Sequence, residues 1–332
     1  MSAQSQRLLE IQDLFVQFPV PRGIVGAMRK RPRQTVKAVD GVSLHLDRGE
    51  MVALVGESGC GKTTTAHSIL RMVEPTSGSI LLDDIDVTQY APRKMRPLRR
   101  HMQMIYQDPY ESLDPRFRVR QTIAEPMQIH RLPGDRETAV TEALERAGLV
   151  PTDLYSERFP HELSGGQRQR VAIAASLVLN PSLLVADEPV SMLDVSVRAG
   201  ILSLLDGLRK DGLGILMITH DLSTAAHFAD RIAVMYLGRI VEQGIAKEVV
   251  RDPQHPYTKA LLSVVPPRDP RDRKTPQILQ GETPDAVRIP AGCRFHPRCP
   301  VAQGRCKLED PALHKPVSGQ TSETHEAACL LV

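Results

Sequence analysis

The segment Gly56-Glu57-Ser58-Gly59-Cys60-Gly61-Lys62-Thr63 follows the pattern G-x-x-x-x-G-K-[ST], and its chemistry is that of a polyphosphate cradle. Glycines let successive backbone N–H groups turn inward on an anion, and a helix starting at Thr64 would add its positive end. Lys62 brings a mobile point charge for the β- and γ-phosphates, and the Thr63 hydroxyl is a hard oxygen suited to Mg²⁺. Cys60 reads as a small loop residue whose thiol has no ligand role. A chance glycine-rich turn could match the pattern but not its surroundings. Met51-Val52-Ala53-Leu54-Val55 is a continuous apolar run, as in a strand buried on both faces, and residues 64–71 are helix-like.

Two further groups fit the same chemistry. Leu183-Leu184-Val185-Ala186-Asp187-Glu188 is an apolar strand ending in two acids, which a parallel sheet would place at its ligand-binding edge. Asp187 is then positioned for the Mg²⁺ shell and Glu188 to polarise an attacking water as general base. In Leu163-Ser164-Gly165-Gly166-Gln167 a hydroxyl and open N–H groups meet at a helix start, a second anion cradle. A lone Ser-Gly-Gly is only a helix cap; between Lys62 and the acid pair it reads as part of one machine.

The remaining candidates lie near the C-terminus. Of five cysteines, four (Cys293, Cys299, Cys306, Cys329) fall within the last forty residues. Clustered cysteines in a reducing compartment point to metal before disulfides. Four thiolates can close a tetrahedral zinc site or hold an iron–sulfur cluster, and free thiols are the remaining reading. His296, His314 and His325 lie nearby and read as surface residues.

The elements that must position these groups can be read around them. The chain has 332 residues, 41% hydrophobic and 24% charged, the balance of a globular protein. Its net charge of +3 demands no nucleic-acid partner. The sharpest basic run, Arg29-Lys30-Arg31 with Arg33, reads as a solvated loop within the Pro- and Gly-rich stretch 19–34. No apolar run reaches membrane-spanning length, and residues 1–10 lack a signal peptide's apolar core. Strand-like stretches at 9–11, 14–18, 42–46 and 51–55 ahead of the phosphate segment, helical character over 109–170 and strands again at 183–186, 214–219 and 232–236 give a parallel α/β core interrupted by a helical insert. Beyond about residue 257 prolines thicken and periodicity fades, marking a separate, less core-forming piece.

With these motifs in order, the chain resembles the ATPase subunits of ABC transporters, Leu163-Ser164-Gly165-Gly166-Gln167 being similar to their signature sequence. That resemblance implies a P-loop NTPase (RecA-like) α/β core, with an antiparallel β subdomain and an α-helical insert subdomain. It implies roles for single residues as well. Gln107, in Tyr106-Gln107-Asp108-Pro109, resembles the glutamine that touches Mg²⁺ or the lytic water and senses the membrane subunits. Asp194, in Ser191-Met192-Leu193-Asp194, resembles the D-loop aspartate, with Met192 where alanine is usual. His220 resembles the switch histidine at the γ-phosphate, and Phe18, with Phe15 as the other choice, the aromatic that stacks on adenine. In the family two such domains meet head to tail, each ATP lying between one chain's phosphate loop and the other's signature. One set occurs here, so the chain must pair.

The C-terminal cysteines, His255-Pro256-Tyr257-Thr258, and the sequences around 103–115 and 123–126 resemble one subfamily, the F-type ATPase of oligopeptide and dipeptide importers. This implies a nucleotide-binding domain over 1–258 and a small metal-binding C-terminal extension over 259–332, where the four cysteines would hold a four-iron four-sulfur cluster, with zinc as second choice. The implied partners are a second homologous ATPase, two transmembrane permease subunits and, indirectly, an extracytoplasmic solute-binding protein. The implied place is the cytoplasmic face of the inner membrane, peripheral. The rival is a soluble ABC ATPase acting on nucleic acid or ribosomes. Such proteins usually carry two nucleotide domains or a long coiled-coil insert, and neither is visible.

Overall fold

The computed structural model describes residues 7–21, 34–110, 112–265, 276–279, 281–316 and 324–332. The basic run at Arg29-Lys30-Arg31 and Arg33 lies outside them. In chain order, strands β1 (Arg7–Pro19), β2 (Thr35–Asp47) and β3 (Met51–Val55) precede helix α1 (Lys62–Ile69). Then come β4 (Ser77–Leu82), β5 (Ile85–Asp86), α2 (Pro92–Leu98) and β6 (Met102–Ile105), followed by helices α3 (Val119–His130), α4 (Arg136–Arg146), α5 (Thr152–Ser156) and α6 (Gly165–Leu177). The chain continues through β7 (Leu183–Asp187), α7 (Val195–Lys210), β8 (Gly214–Thr219), α8 (Leu222–Phe228), β9 (Arg231–Tyr236) and β10 (Arg239–Ile245). It ends in α9 (Ala246–Arg251), α10 (Pro256–Ser263) and β11 (Glu326–Ala327). Among the described residues no helix is long and apolar enough to cross a membrane.

The contacts divide the chain into two interleaved units. The first holds residues 1–9, 46–51 and 83–218. In it β6, β7 and β8 run parallel, with Ile105 opposite Ala186 and Asp187 opposite Ile218. Every residue of β7 and β8 is buried, which is why both strands read as unbroken apolar runs. The insert builds a core of its own: Val119, Ile123 and Met127 of α3 and Val140 and Leu144 of α4 pack with Val171 and Ala174 of α6. Their three- and four-residue spacing is the helical stripe that such packing needs.

The second unit holds residues 10–45, 52–82 and 219–332. Here β2, β1 and β4 are neighbours in one sheet. The Val20 N–H reaches the Gln34 carbonyl (2.9 Å) and the Asp13 N–H the Ser43 hydroxyl (2.9 Å), so β1 and β2 run antiparallel. In the other sheet β3 and β9 are parallel, with Val55 opposite Val234, while β10 is antiparallel to β9 and β11 to β10.

The C-terminal residues contribute more core than their sequence suggests. Tyr236, Tyr257 and Phe295 stack around one another with ring centroids 4.8 to 5.4 Å apart. His325 is wholly buried (0% exposed), its Nε2 2.8 Å from Glu242 Oε1, which corrects its reading as a surface residue. The Glu242 carboxylate also accepts the N–H groups of Gln254 (2.7 Å) and His255 (2.9 Å). A buried carboxylate needs such partners, and they tie the end of the chain to β10. His296 and His314 are half-buried.

Candidate nucleotide site

The phosphate-loop residues join β3 to α1 within the second unit. Gly61 caps α1 with φ +109°, a left-handed conformation that any side chain would strain. Gly56 has no room for a Cβ between the Met235 carbonyl and the Cys60 sulfur, nor has Gly61 between the Ala38 carbonyl and the Met235 side chain. Lys62 is 6% exposed. Its Nζ donates to the carbonyls of Gly56 (2.7 Å) and Glu57 (3.0 Å) and lies 3.8 Å from the Cys60 sulfur. Burial pushes the Cys60 thiol up against the opposing charge of Lys62, in keeping with an inert loop residue. Thr63 is exposed and Thr64 half-buried on the first turn of α1, and the Cys60 carbonyl accepts the Gly238 N–H (2.8 Å).

Glu57 is held by residues that the sequence did not single out for this purpose. Its N–H donates to the Tyr257 hydroxyl (2.9 Å). Its carboxylate takes the Thr283 hydroxyl (2.6 Å) and both terminal nitrogens of Arg298 (2.8 and 3.2 Å). Burial works to raise the Glu57 pKa, but the Arg298 and Thr283 bonds with the Arg298 and Lys62 charges outweigh it and the carboxyl lies below its usual range. Tyr257 belongs to a tetrapeptide picked out by resemblance, yet nothing in spacing joins residues 257, 283 or 298 to residue 57. Ser58 and Gly59 are exposed, and Gly59 has φ +79° with open space around it.

In the same unit His220 is exposed between β8 and α8. Asp221 caps α8, accepting the N–H groups of Ser223 (2.9 Å) and Thr224 (3.3 Å). Phe18 is 40% exposed near the end of β1, while the Phe15 ring packs on Gly41, 3.3 Å from where a Cβ would stand.

The first unit carries the other candidates. Asp187, 6% exposed, ends β7. Glu188 follows at φ +48°, rare for a residue with a side chain; its N–H donates to the Ile218 carbonyl (2.9 Å) and its carbonyl accepts the Ser191 hydroxyl (3.1 Å). The turn through Met192 and Asp194 is held from α7 by Arg198, which donates to the Leu193 carbonyl (2.8 Å). Asp194 and Met192 are exposed.

Ser164 caps α6: its hydroxyl accepts the Gln167 N–H (3.3 Å) and the Gln167 side chain accepts the Ser164 N–H (2.9 Å), a closed capping box. A Cβ on Gly165 would meet Leu193 at an ordinary 3.5 Å, whereas Gly166 has no room beside Val197. The structure thus brings the signature residues and the Asp194 turn together. Gln107 is exposed beyond β6, and in the same stretch Tyr110 lies beneath the Arg168 guanidinium (4.0 Å).

The four C-terminal cysteines are neighbours. The Cys293 N–H donates to the Cys306 carbonyl (2.9 Å) and the Gln303 N–H to the Cys306 sulfur (3.4 Å). Burial pushes the Cys293 thiol up to about 11, and the charges of Cys329, Cys306 and Cys299 add to the rise. The Cys299 and Cys329 thiols are raised too, by burial first. Among the described residues no group of three or more His, Cys, Asp or Glu side chains is placed so that it could hold a metal ion.

Residues 39–191 match the ABC transporter family and residues 241–306 the family described as "Oligopeptide/dipeptide transporter, C-terminal region". The chain is 42% identical to the oligopeptide transport ATP-binding protein AppF of Bacillus subtilis over 99% of both chains. It is 42% identical to the oligopeptide transport ATP-binding protein OppF of Escherichia coli, over 98% of this chain and 96% of that one. Among solved structures, a dimeric ATP-binding cassette, MJ0796, bound to ADP and Pi superposes with a TM-score of 0.62 at 26% identity, over 72% of this chain and 99% of that one. The cbiO1 protein of Clostridium perfringens, part of the ABC transporter complex cbiONQ, gives 0.63 at 30%, over 74% and 92%. With the phosphate loop, the acid pair and the signature helix set on a P-loop α/β fold, the chain belongs to the oligopeptide transport ATP-binding protein family of ABC-type ATPases.

Proposed function

We propose that this chain hydrolyses ATP to drive import of oligopeptides or dipeptides through two membrane-spanning permease subunits. It would be bound peripherally at the cytoplasmic face and paired with a second, homologous ATPase. The observation that carries the substrate class is the match over residues 241–306, because the ATPase core alone is common to ABC transporters of every cargo. An extracytoplasmic solute-binding protein would deliver the cargo, which this subunit does not touch. The rival reading, a soluble ATPase acting on nucleic acid or ribosomes, gains no support from the relatives.

In this reading the backbone of Gly56, Glu57, Ser58, Gly59, Cys60 and Gly61, with Lys62, Thr63 and Thr64 at the helix start, cradles the phosphates. Lys62, already bonded to carbonyls of its own loop, passes its hydrogen bonds to phosphate oxygens without having to be drawn out of solvent. Thr63, Asp187 and Gln107 hold the Mg²⁺ shell, and the ion supplies charge neutralisation at the β- and γ-phosphates. Glu188 orients and deprotonates the attacking water, helped by a backbone fixed in an uncommon conformation. His220 contacts the γ-phosphate, and Phe18 stacks on adenine. Ser164, Gly165, Gly166, Gln167 and Asp194 serve the partner's ATP, so ATP favours the closed pair by bonding to both faces.

The domain assignment of 1–258 to nucleotide binding and 259–332 to an extension belongs to the same proposal. So does a four-iron four-sulfur cluster on Cys293, Cys299, Cys306 and Cys329. What supports it is the donor set itself and its closeness, each thiol bearing on another's charge. Four thiolates are the ligand set of such a cluster, and zinc is the second choice. Anaerobic purification with metal and sulfide analysis should return about four irons per chain; one zinc and no sulfide overturns the cluster.

Uptake tests the function. Cells lacking this chain should lose oligopeptide uptake, regain it with the parent chain and fail to regain it with Glu188→Gln. Unchanged uptake in the deletion overturns the peptide reading, and rescue by Glu188→Gln overturns the assigned base.

A further inference from the structure

The C-terminal segment that bears the cysteines reaches the phosphate loop directly. Arg298, beside Cys299, forms a two-pronged ion pair with Glu57, the second residue of the loop, and its side chain is only 9% exposed. A guanidinium fork on a carboxylate fixes direction as well as charge. Arg298 also bonds to the Thr283 hydroxyl (3.1 Å), which itself donates to Glu57 (2.6 Å), so three groups form a closed ring of contacts. Tyr257 of α10 takes the Glu57 N–H. The Glu57 carbonyl in turn accepts from Lys62, so what fixes Glu57 also fixes the approach of the lysine.

A second link repeats the arrangement. Arg294, beside Cys293, pairs with the buried Asp40 and donates to the Leu237 carbonyl (2.5 Å). The Asp40 N–H bonds to the Gly238 carbonyl (2.9 Å), and the Gly238 N–H to the Cys60 carbonyl (2.8 Å), inside the phosphate loop. Both arginines thus act on the loop, one through a side chain and one through the turn beneath it.

The charge balance explains why such a clasp matters. Glu57 places a carboxylate in a loop whose business is to gather phosphates. Unneutralised, that charge would repel the polyanion in a half-buried setting, where screening is weak.

We propose that Arg298, with Thr283, is a positioning residue for ATP binding: it neutralises and orients Glu57, so that the cysteine-bearing C-terminal segment sets the shape and charge of the phosphate loop. The inference rests on the reading that residues 56–64 hold the ATP phosphates.

The experiment is titration of Mg-ATP into the purified full chain by calorimetry, with melting curves recorded without nucleotide. Arg298→Ala should weaken binding about tenfold, and Arg298→Lys, which keeps the charge and loses the fork, should recover part of that loss. Thr283→Val should cost less than Arg298→Ala. The decisive variant is Arg298→Ala combined with Glu57→Gln: removing the bared charge should bring affinity back toward the parent, which loss of packing alone would not do. Parent-like affinity in Arg298→Ala, or a double variant no tighter than Arg298→Ala, overturns the proposal. If Arg298→Ala does not fold, the ranking of Arg298→Lys and Thr283→Val below the parent at unchanged melting temperature decides it, and parent-like binding by both overturns it. Lys62→Ala, run alongside, separates the two claims: if it binds as the parent does, the phosphate-loop reading fails whatever Arg298 does.

Discussion

The phosphate loop and the signature loop use the same local chemistry, glycines and a hydroxyl residue at a helix N-terminus, and the chain finishes them differently. The first is held at both ends by its own unit: Met235 and Ala38 exclude side chains from Gly56 and Gly61, and Tyr257, Thr283 and Arg298 fix Glu57, while Ser58 and Gly59 stay exposed. The second is capped by the reciprocal Ser164–Gln167 bonds and packed at Gly166 against Val197, and Ser164 stays exposed. In the proposed site, pre-organising the phosphate loop lowers the cost of binding ATP, and the exposed, capped signature loop is left to meet the partner's nucleotide. The difference fits a site assembled from two chains.

Substitutions in each loop test that contrast. The largest effect is expected at the base: Glu188→Gln should lower ATP turnover by about 10²- to 10⁴-fold while ATP still binds, read by steady-state hydrolysis beside a binding titration. Next is Lys62→Ala, which should weaken ATP binding by roughly 10- to 100-fold, the worth of charged hydrogen bonds. A third comparison separates the two signature glycines. Gly166→Ala must push Val197 aside and should cost about 1–3 kcal/mol in urea unfolding. Gly165→Ala, with ordinary contact to Leu193, should unfold at the parent's midpoint and reveal itself in ATP turnover alone. Equal destabilisation by both would erase the distinction.

The smallest expected effect concerns pH. Burial pushes the His255 pKa down to about 4, and its neutral Nδ1 accepts the Tyr257 N–H. A histidine with a lowered folded pKa leaves stability intact above its unfolded value near 6.5 and loses it as pH falls toward 4. His255→Asn, which keeps an acceptor, should flatten the stability profile between those values; an unchanged slope would place the acid sensitivity elsewhere.

What the sequence made legible was local. Residues 56–63, 163–167 and 183–188 announce themselves because each is a contiguous pattern tied to an element boundary, and the strands and helix starts lie where those patterns require. Long-range contacts left no such trace. Arg298 and Thr283 are common residues 241 and 226 positions from Glu57, and no periodicity links them. His325 reads as a surface residue because its partner, Glu242, is 83 positions away in β10. Gly166 reads as an anion-cradle glycine, but its need for a missing side chain comes from Val197 on the next helix, which only packing reveals.

In the proposed function residues 56–64 bind Mg-ATP through Lys62. The most direct test is calorimetric titration of Mg-ATP into the purified chain and into Lys62→Ala with a parent-like melting curve. The parent should bind saturably and the variant at least about tenfold more weakly; equal affinity in the two would overturn the assignment of the phosphate loop.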